Sequence, residues 1–524
     1  MTTLTRRQTL ATMLAAFAAG LAPAGASDQE THALEFGPAE PFSFDLLKER
    51  AKARAAEPWQ GLASPHADTL ERIDYDAFQK IVWRKGSSLW AVDGKRPPVQ
   101  LFHLGKYFKE PARIYACHGG EAREILYRRS YFDMPADHVA RSLPEDIGYA
   151  GFRVMNGKQD RDWLAFLGGC YFRSSGELDQ YGLSARAIAI DTAMPTPEEF
   201  PRFTEFYMEP AGDDPDRLIV SALLEGPSIA GAVRLDCKRD KAVVMDVECA
   251  LFARRDIARL GVAPLTSMFW FGQIDRSQAV DWRPRIHDSE GLSIWTRAGE
   301  HIWRPLANPP SVMTNAFLDK GPRGFGLLQR HRHFDDYQDD GVFYERRPSL
   351  WVEPLGDWGA GAVHLVEIPT DDEIHDNIVA YWVSDEPVLA GDARDWRYRL
   401  HWVADEPFPS PLATIMNSFS GTGGTPGQPR PKGVRRFVID VEGDILARHE
   451  RGDLKVMAST SRGTIRGETA TYPIVGVDQR WRAVFDVEVS GPEPVDLRMV
   501  LTDGDDQPVT ETWVYQYFPE MRGA

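Results

Sequence analysis

Three polar clusters interrupt the apolar alternation of this 524-residue chain, and each of them contains carboxyl groups. They are His287–Leu292, His331–Asp340 and Asp371–Asn377. Paired Asp and Glu side chains can act on a glycosidic bond, one donating a proton and the other accepting one. The clusters therefore indicate acid–base chemistry on a sugar, with solvated acidic turns as the alternative interpretation.

Aromatic side chains follow each polar cluster along the chain. Flat apolar rings cover the C–H faces of pyranose sugars, so carboxylates beside such rings are what a sugar cleft needs. Strand tryptophans are also common in protein cores, and both roles stay open for these residues. The rings that follow the three clusters are Trp295, Trp303, Tyr344, Trp351, Tyr381 and Trp382.

Other chemistries have less support in the sequence. His331 and His333, with Asp335 and Asp336 nearby, could be interpreted as metal ligands, but a third ligand at a typical spacing is absent from the sequence. The sequence has no G-x-S-x-G motif of a serine esterase, and it has no G-x-G-x-x-G or Walker motif. We therefore expect no metal and no cofactor, and a doubly wound nucleotide-sugar transferase is disfavoured.

Period-two alternation predicts that most of these residues lie on strands of antiparallel sheets. Val233, Leu235 and Cys237 alternate with polar residues before a turn at 238–241, and the alternation resumes at Val243. In that register Cys249 would face a residue near Ala230, too far from Cys237 for a disulfide. We expect both cysteines to be buried thiols.

Helical signals are few. Residues 43–56 form one helical candidate with Ser43 or Asp45 as the cap, and residues 185–192 form a second, shorter candidate. The chain is accordingly predicted to be all-β.

A segment rich in Gly and Pro, residues 417–433, marks a break in composition. We place the domain boundary just before it, so that residues 28–409 form a large β-sandwich and residues 410–524 form an immunoglobulin-like sandwich. The segment itself is either an active-site lid or a plain linker.

The first 26 residues have the basic start, short apolar stretch and small-residue cleavage site of a secretory signal peptide. Arg6 and Arg7 fit the twin-arginine pattern, which predicts export to the periplasm in a folded state; a general secretory signal is the alternative. The formal net charge of −17 argues against nucleic acid as a partner and is compatible with a neutral polysaccharide.

The sequence resembles the periplasmic glucan biosynthesis family OpgG/OpgD, also called MdoG/MdoD. The twin-arginine leader is similar to the OpgD branch. The resemblance covers most of residues 35–410 and is carried by the segments Leu101–Pro111, Tyr171–Arg173, Tyr181–Arg186, Ala263–Gly272, Trp303–Leu306, Tyr344–Pro354 and Asp376–Trp382.

This resemblance implies a large sandwich of the galactose-mutarotase kind followed by an immunoglobulin-like sandwich. It also implies a place in osmoregulated periplasmic glucan synthesis, where a membrane synthase makes a β-1,2-linked glucose backbone. OpgD-like members are inverting endo-β-1,2-glucanases, and some relatives catalyse transglycosylation instead. Because the periplasm has no ready supply of sugar nucleotides, cutting, transferring or handling finished backbone is expected rather than polymerisation.

By the family's motifs, Asp376 matches the general acid, Asp288 the general base and Tyr344 a residue of the proton path. For inversion the two carboxyl groups should lie about 6.5 to 9.5 Å apart, or farther if a relay connects them. The acid must keep its proton near neutral pH, so Asp376 should be desolvated or close to another anion.

The substrate-binding residues expected beside this pair are Trp295, Trp303 and Trp351 as sugar platforms, with Arg304 and Tyr381 as further contacts. Two departures from the family pattern stand out: His375 replaces a frequent Asn, and the His331/His333 pair replaces a more acidic pattern. A non-catalytic glucan-binding protein, which guides nascent chains or assists branching, is the second hypothesis. Hydrolysis versus transfer, product length and a homodimer are left open by the sequence.

Overall fold

The computed structural model describes residues 32–519 except 62, 92–93, 277–278 and 426. The predicted signal peptide lies outside these residues. Helices are short and few: α1 (Phe44–Ala56), α2 (Ala67–Glu71), α3 (Tyr75–Gln79) and α4 (Phe334–Tyr337). The helix predicted at 43–56 is confirmed, because Ser43 is the N-cap and its hydroxyl accepts a hydrogen bond from the Leu46 amide at 3.2 Å.

Strands are the main regular elements of the first half of the chain. They are β1 (Phe36–Pro41), β2 (Val82–Trp83), β3 (Val99–Phe102), β4 (Arg113–His118), β5 (Glu121–Ile125), β6 (Phe132–Asp133), β7 (Gly151–Met155), β8 (Asp162–Leu167), β9 (Tyr171–Ser174), β10 (Ser184–Arg186), β11 (Ile188–Ile190), β12 (Arg202–Pro210), β13 (Arg217–Glu225), β14 (Ile229–Arg239), β15 (Val243–Ala253) and β16 (Leu260–Ser267).

The second half continues in the same way. Its strands are β17 (Phe269–Phe271), β18 (Ile286–His287), β19 (Gly291–Trp295), β20 (His301–Pro305), β21 (Met313–Asp319), β22 (Gly324–Leu328), β23 (Ser349–Pro354), β24 (Gly361–Glu367), β25 (Ile378–Ser384), β26 (Ala393–Val403), β27 (Thr414–Thr422), β28 (Val434–Glu442), β29 (Lys455–Thr460), β30 (Thr464–Pro473), β31 (Arg480–Glu488), β32 (Val495–Thr502) and β33 (Thr512–Tyr517).

A large sandwich holds most of the molecule. One sheet has fifteen strands in the order β1-β5-β4-β12-β13-β14-β15-β26-β23-β22-β19-β20-β33-β32-β29. The facing sheet has the order β21-β24-β25-β16-β10-β9-β8-β7-β3, with β11 also paired to β16. Residues from both sheets, such as Phe166, Val233 and Leu265, share one apolar core. The predicted all-β sandwich class is confirmed.

The C-terminal strands form a smaller, seven-stranded sandwich. The four-stranded sheet β27-β28-β31-β30 faces β33, β32 and β29, and residues such as Phe437, Phe485 and Trp513 fill the space between them. The boundary predicted near residue 409 falls in the connection between Val403 and Thr414.

The two sandwiches share a sheet, which the sequence did not predict. Strand β33 pairs in parallel with β20, where Ile302 is opposite Thr512 and Trp303 is opposite Trp513. The fifteen-stranded sheet therefore runs from the large sandwich into the small one without a break.

Arg330 adds polar contacts across the same boundary. Its guanidinium lies 3.7 Å from the ring centroid of Trp303 and donates to both carboxylate oxygens of Glu511, each at 2.9 Å. It also donates to the Ile415 carbonyl at 2.7 Å. The small sandwich is thus bonded to the large one through backbone, apolar and ionic contacts together.

Two local predictions were wrong. Residues 185–192 were predicted as a short helix, but they belong to β10 and β11, which both pair with β16. In the β14–β15 hairpin Cys249 faces Val233 rather than a residue near Ala230, because Arg239 pairs with Val243 and the turn is shifted. Cys237 and Cys249 are nevertheless buried free thiols, as expected.

Among the described residues, none of the helices combines the length and the apolar character needed to cross a bilayer.

Candidate functional site

Asp288 and Asp376, which are 88 positions apart in sequence, lie on either side of one short backbone segment. Strand β16 ends at Ser267, whose carbonyl accepts a hydrogen bond from the Asn377 amide at 3.1 Å. The next carbonyl, that of Met268, accepts from the Asp288 amide at 2.8 Å. The end of β16 therefore brings the backbone of Asp288 and that of Asn377, the neighbour of Asp376, to adjacent residues.

Asn377 fixes the Asp376 side of this arrangement. Its side-chain oxygen accepts from the Phe269 amide at 2.8 Å, and its side-chain nitrogen donates to the Phe269 carbonyl at 2.9 Å. A further hydrogen bond, of 2.8 Å, joins the hydroxyls of Ser267 and Ser289 next to Asp288. Both carboxyl groups are thus mounted on rigid backbone.

Asp376 is buried in surroundings that favour its protonated form. Its side chain is 4% exposed, and its Oδ1 atom has no hydrogen-bond partner in the described part of the chain. Burial raises the pKa of Asp376 to about 6, against the opposing effect of Arg186, Arg173 and Arg347. A carboxyl group of this kind holds a proton that it can donate near neutral pH.

Asp288 is equally buried, but a cation compensates its charge. It is 1% exposed and forms an ion pair with the Arg347 guanidinium. Burial and the nearby Arg173 lower the pKa of Arg347 to about 9, which leaves it a cation at neutral pH. The same guanidinium lies 4.1 Å from the ring centroid of Tyr344. Arg347 therefore contacts two of the three predicted catalytic residues, and its charge acts to lower the pKa of the third, Asp376.

Tyr344 is connected to the loop that carries Asp376. Its hydroxyl donates to Glu373 Oε2 at 2.6 Å, and Glu373 precedes Asp376 by three residues. Burial and the Glu373 carboxylate raise the pKa of Tyr344, so the phenol keeps its proton. In this structure the hydroxyl is bonded to Glu373 rather than placed between the two aspartates.

Arg283 ties together three loops around this site. It donates to Asp339 Oδ2 at 2.7 Å and to both oxygens of Glu373, at 2.9 and 3.1 Å. It also donates to Asp281 Oδ1 at 2.9 Å. We call residues 279–285, 331–343 and 370–377 the three rim loops, because Arg283 joins them to one another and the third carries Asp376.

The expected sugar contacts are mostly inside the fold. Trp351 and Tyr381 have no exposed surface, while Trp303 is 3% and Arg304 is 1% exposed. Arg304 donates to Glu367 Oε2 at 2.8 Å, inside the protein. In this conformation these four side chains offer a ligand almost no exposed surface, although Trp303 borders a pocket between the two sandwiches.

Trp295 differs from those four in being partly exposed. Its ring stacks on His301 at 5.2 Å between centroids, and the Arg323 guanidinium covers it at 5.1 Å. It lies on β19 beside Phe408, at the boundary between the sandwiches. This position is on the large sheet rather than on the rim loops.

A small pocket that opens to solvent lies between the two sandwiches and is lined by His287, the residue before Asp288. The Nε2 atom of His287 has no hydrogen-bond partner among the described residues, and burial lowers the pKa of this histidine to about 3. His287 is therefore neutral. The other lining residues include Gln273, Glu290, Trp303, Met416 and Ser418.

His331 bridges the large sandwich and the 417–433 segment. One ring nitrogen is 2.8 Å from Glu290 Oε2 and the other is 3.0 Å from Asn417 Oδ1. In the described part of the chain, no group of three or more His, Cys, Asp or Glu side chains is arranged to hold a metal ion. His331 thus has two polar partners in the protein.

The first six residues of the 417–433 segment belong to β27, which pairs with β28 up to Thr422. The alternative of a plain linker between domains is therefore wrong for this part. The choice between an active-site lid and a linker stays a prediction for the residues after Thr422.

Several residues of the site were not singled out from the sequence. Arg347 was inside a matching motif, next to Tyr344, but nothing local showed that it would reach Asp288. Glu373 was inside an acidic cluster without a stated role. Arg283 lay outside every motif, and its role depends on loops that only the folded chain brings together.

The fold and the site define an all-β protein of two joined sandwiches with a pair of buried aspartates, one with a raised pKa and one paired with arginine. The family model described as periplasmic glucan biosynthesis protein, MdoG, matches residues 42–517. The chain belongs to this family, which places it in the periplasm and in glucan biosynthesis.

Similar proteins support the same family. The chain is 50% identical to "Glucans biosynthesis protein D 2" of Ralstonia nicotianae, over 98% of either chain. It is 44% identical to "Glucans biosynthesis protein D" of Stenotrophomonas maltophilia, over 98% of this chain and 96% of that one. It is 46% identical to "Probable glucans biosynthesis protein D" of Shewanella oneidensis, over 92% and 89% of the two chains.

Proposed function

We propose that the protein acts on β-1,2-glucan as an anomer-inverting endo-glucanase or as the related transglycosylase. The observation that carries this proposal is the contrast between two neighbouring carboxyl groups. Burial keeps Asp376 protonated to about pH 6, whereas Asp288 is paired with the Arg347 cation. Titratable pairs whose surroundings differ in this way are suited to separate acid and base roles.

The proposed reaction assigns one proton transfer to each carboxyl group. Asp376 donates its proton to the glycosidic oxygen as the C–O bond breaks. Asp288 accepts a proton from the incoming water, or from a sugar hydroxyl in the case of transfer. The Tyr344 hydroxyl, which is bonded to Glu373, is the proposed member of the proton path.

Asp376→Asn tests the catalytic assignment. The mature protein and the variant are incubated with linear β-1,2-glucan, and the short oligosaccharides released are quantified. We expect the variant to lose at least 100-fold in rate, because an amide cannot replace a general acid. Asp371→Asn is the matched control, since it removes a carboxylate from the exposed start of the same loop. Polarimetry of the new anomer then tests inversion.

A non-catalytic glucan-binding role is the second candidate. It is favoured by one observation, which is that both aspartates are almost completely enclosed in this conformation. This role would be established if neither the wild-type protein nor Asp376→Asn released any product while both still bound glucan. It would fit a protein that hands nascent glucan from a membrane synthase to later steps.

The proposed route to the periplasm is the twin-arginine pathway. Replacing Arg6 and Arg7 by Lys should retain the protein in the cytoplasm, as measured by cell fractionation. Normal export of this double variant would indicate a general secretory signal.

A further inference from the structure

The three rim loops carry an unusual share of the exposed apolar side chains. Fourteen large hydrophobic residues of the described chain are exposed, and five of them lie on these loops. They are Val280, Trp282, Phe334, Val342 and Ile374. Such clustering on loops around a polar site indicates a binding surface rather than scattered surface residues.

Trp282 is the most conspicuous member of this group. Its side chain is 74% exposed, and it is the sole tryptophan among the exposed large hydrophobic residues of the described chain. A tryptophan so exposed buries little surface in the fold, so its ring contributes little to folding stability. Its large flat face is therefore available to a ligand.

The backbone on both sides of Trp282 is held in place. Asp281 Oδ1 accepts hydrogen bonds from the Arg283 amide and from Arg283 Nε, each at 2.9 Å. The Arg283 side chain is 11% exposed and bonds to Glu373 on the Asp376 loop. The indole is thus presented by a preorganised loop, which lowers the entropic cost of ligand binding.

The net charge of the three rim loops disfavours several kinds of ligand. The three rim loops contain nine carboxyl residues and three arginines. This excess of negative charge disfavours nucleic acid and anionic lipid, and it makes a second copy of the same rim a repulsive partner. A neutral polysaccharide has no such penalty, and its hydroxyls can donate to the exposed carboxylates while its C–H faces cover the ring.

We infer that Trp282 is a sugar-stacking platform at the mouth of the site, which binds a glucose unit of the β-1,2-glucan some distance from the bond beside Asp376. This inference rests on the proposed function for its ligand. It predicts that long glucan chains bind more tightly because they reach Trp282. Short oligosaccharides that occupy only the region beside Asp376 do not reach this ring and gain no affinity from it.

The test measures binding rather than cleavage, so that it stays independent of the catalytic proposal. Linear β-1,2-glucan is titrated calorimetrically into the Asp376→Asn protein, which serves as the parent. The titration is repeated with two double variants, which carry Trp282→Ala or Trp282→Phe in addition. We expect Trp282→Ala to weaken binding of long chains about tenfold and Trp282→Phe to lose less, because a smaller ring remains. Affinity for the shortest ligands that bind should not change.

Leu318→Ala is the matched control, since Leu318 is 82% exposed on β21, outside the rim loops. It should leave glucan affinity unchanged, and all three variants should unfold at the temperature of the parent protein. Unchanged affinity of Trp282→Ala for long chains would overturn the inference, and so would absence of glucan binding by the parent. If Trp282→Ala loses self-association in sedimentation while its glucan binding is intact, the partner of Trp282 is a second copy of the chain. That result would also overturn the inference.

Discussion

Asp376 has a pKa near the pH at which a general acid must work, and this makes its role measurable. Burial raises its pKa to about 6, so the carboxyl group loses its proton as the pH rises through that value. If it is the acid, log kcat/KM should fall with a slope of one per pH unit above about pH 6. Asp371→Asn should show the same alkaline limb. A rate that stays constant to pH 8 would remove Asp376 from this role.

The same shift predicts the pH dependence of stability. The folded-state pKa of Asp376 lies above its unfolded value of 3.8, so stability is lost as the pH rises from about 4 to about 6. Asp376→Asn lacks this loss and should be more stable than wild type by roughly 3 kcal/mol at pH 8. Urea unfolding at pH 8 and pH 4 checks this, because the difference should shrink at the lower pH.

Arg347 is expected to keep Asp288 ionised. Arg347→Met leaves Asp288 buried without its cation, so the pKa of the aspartate should rise and the acid limb of the pH–rate profile should move upward. Activity at pH 6 should fall at least 100-fold, and Arg347→Lys should restore part of it. If activity falls but the acid limb of the pH–rate profile does not move, Arg347 has a purely structural role. Circular dichroism checks that the variants are folded.

At the scale of elements, glycines explain why the predicted sugar platforms are buried. Gly324 on β22 lies against the Trp351 ring of β23, and Gly291 on β19 lies against the Trp303 ring of β20. A glycine beside a tryptophan on the next strand lets the ring lie flat across the sheet. The sequence of one strand does not show which residue of the neighbouring strand lies beside it, so this arrangement could not be predicted from the sequence.

Gly324→Ala tests this packing. An added Cβ would overlap the indole of Trp351, so the ring or the strand must shift, at a cost of about 1 to 3 kcal/mol. Gly421→Ala is the control, because Gly421 is also in a strand but has open space around its Cβ position. The free energy of unfolding in urea should fall for the first variant and not for the second.

Elements with a strong local signal were predictable, and those without one were not. The Ser43 cap and the helix-forming residues after it specified α1, and the alternation from Val233 to Cys237 specified β14. The segment 185–192 was misassigned because residues 185–190 are all buried, and a short buried run fits a helix or a strand. Asp288 and Asp376 came from motif resemblance, whereas Arg283 and Trp282 depended on tertiary contacts between loops.

At the scale of the whole molecule, the shared sheet should make the two sandwiches unfold together. Trp303 and Trp351 of the large sandwich lie in the same apolar cluster as Phe437 and Trp513 of the small one. Differential scanning calorimetry should therefore show one transition, with equal calorimetric and van't Hoff enthalpies. Glu511→Gln weakens the contact with Arg330 and should lower this single Tm without splitting it. Two separate transitions would contradict the prediction.

The parallel pairing of β20 with β33 also has a consequence for how the chain folds during synthesis. Thr512 follows its partner Ile302 by 210 residues, so β20 leaves the ribosome long before the strand that covers its edge. Until β33 is made, the backbone N–H and C=O groups on this edge of β20 are unpaired and can pair with a strand of another chain. Trp303 is exposed beside them during this time. Closing so long a loop is slow as well as late. The nascent protein should therefore depend on chaperones until β33 is made.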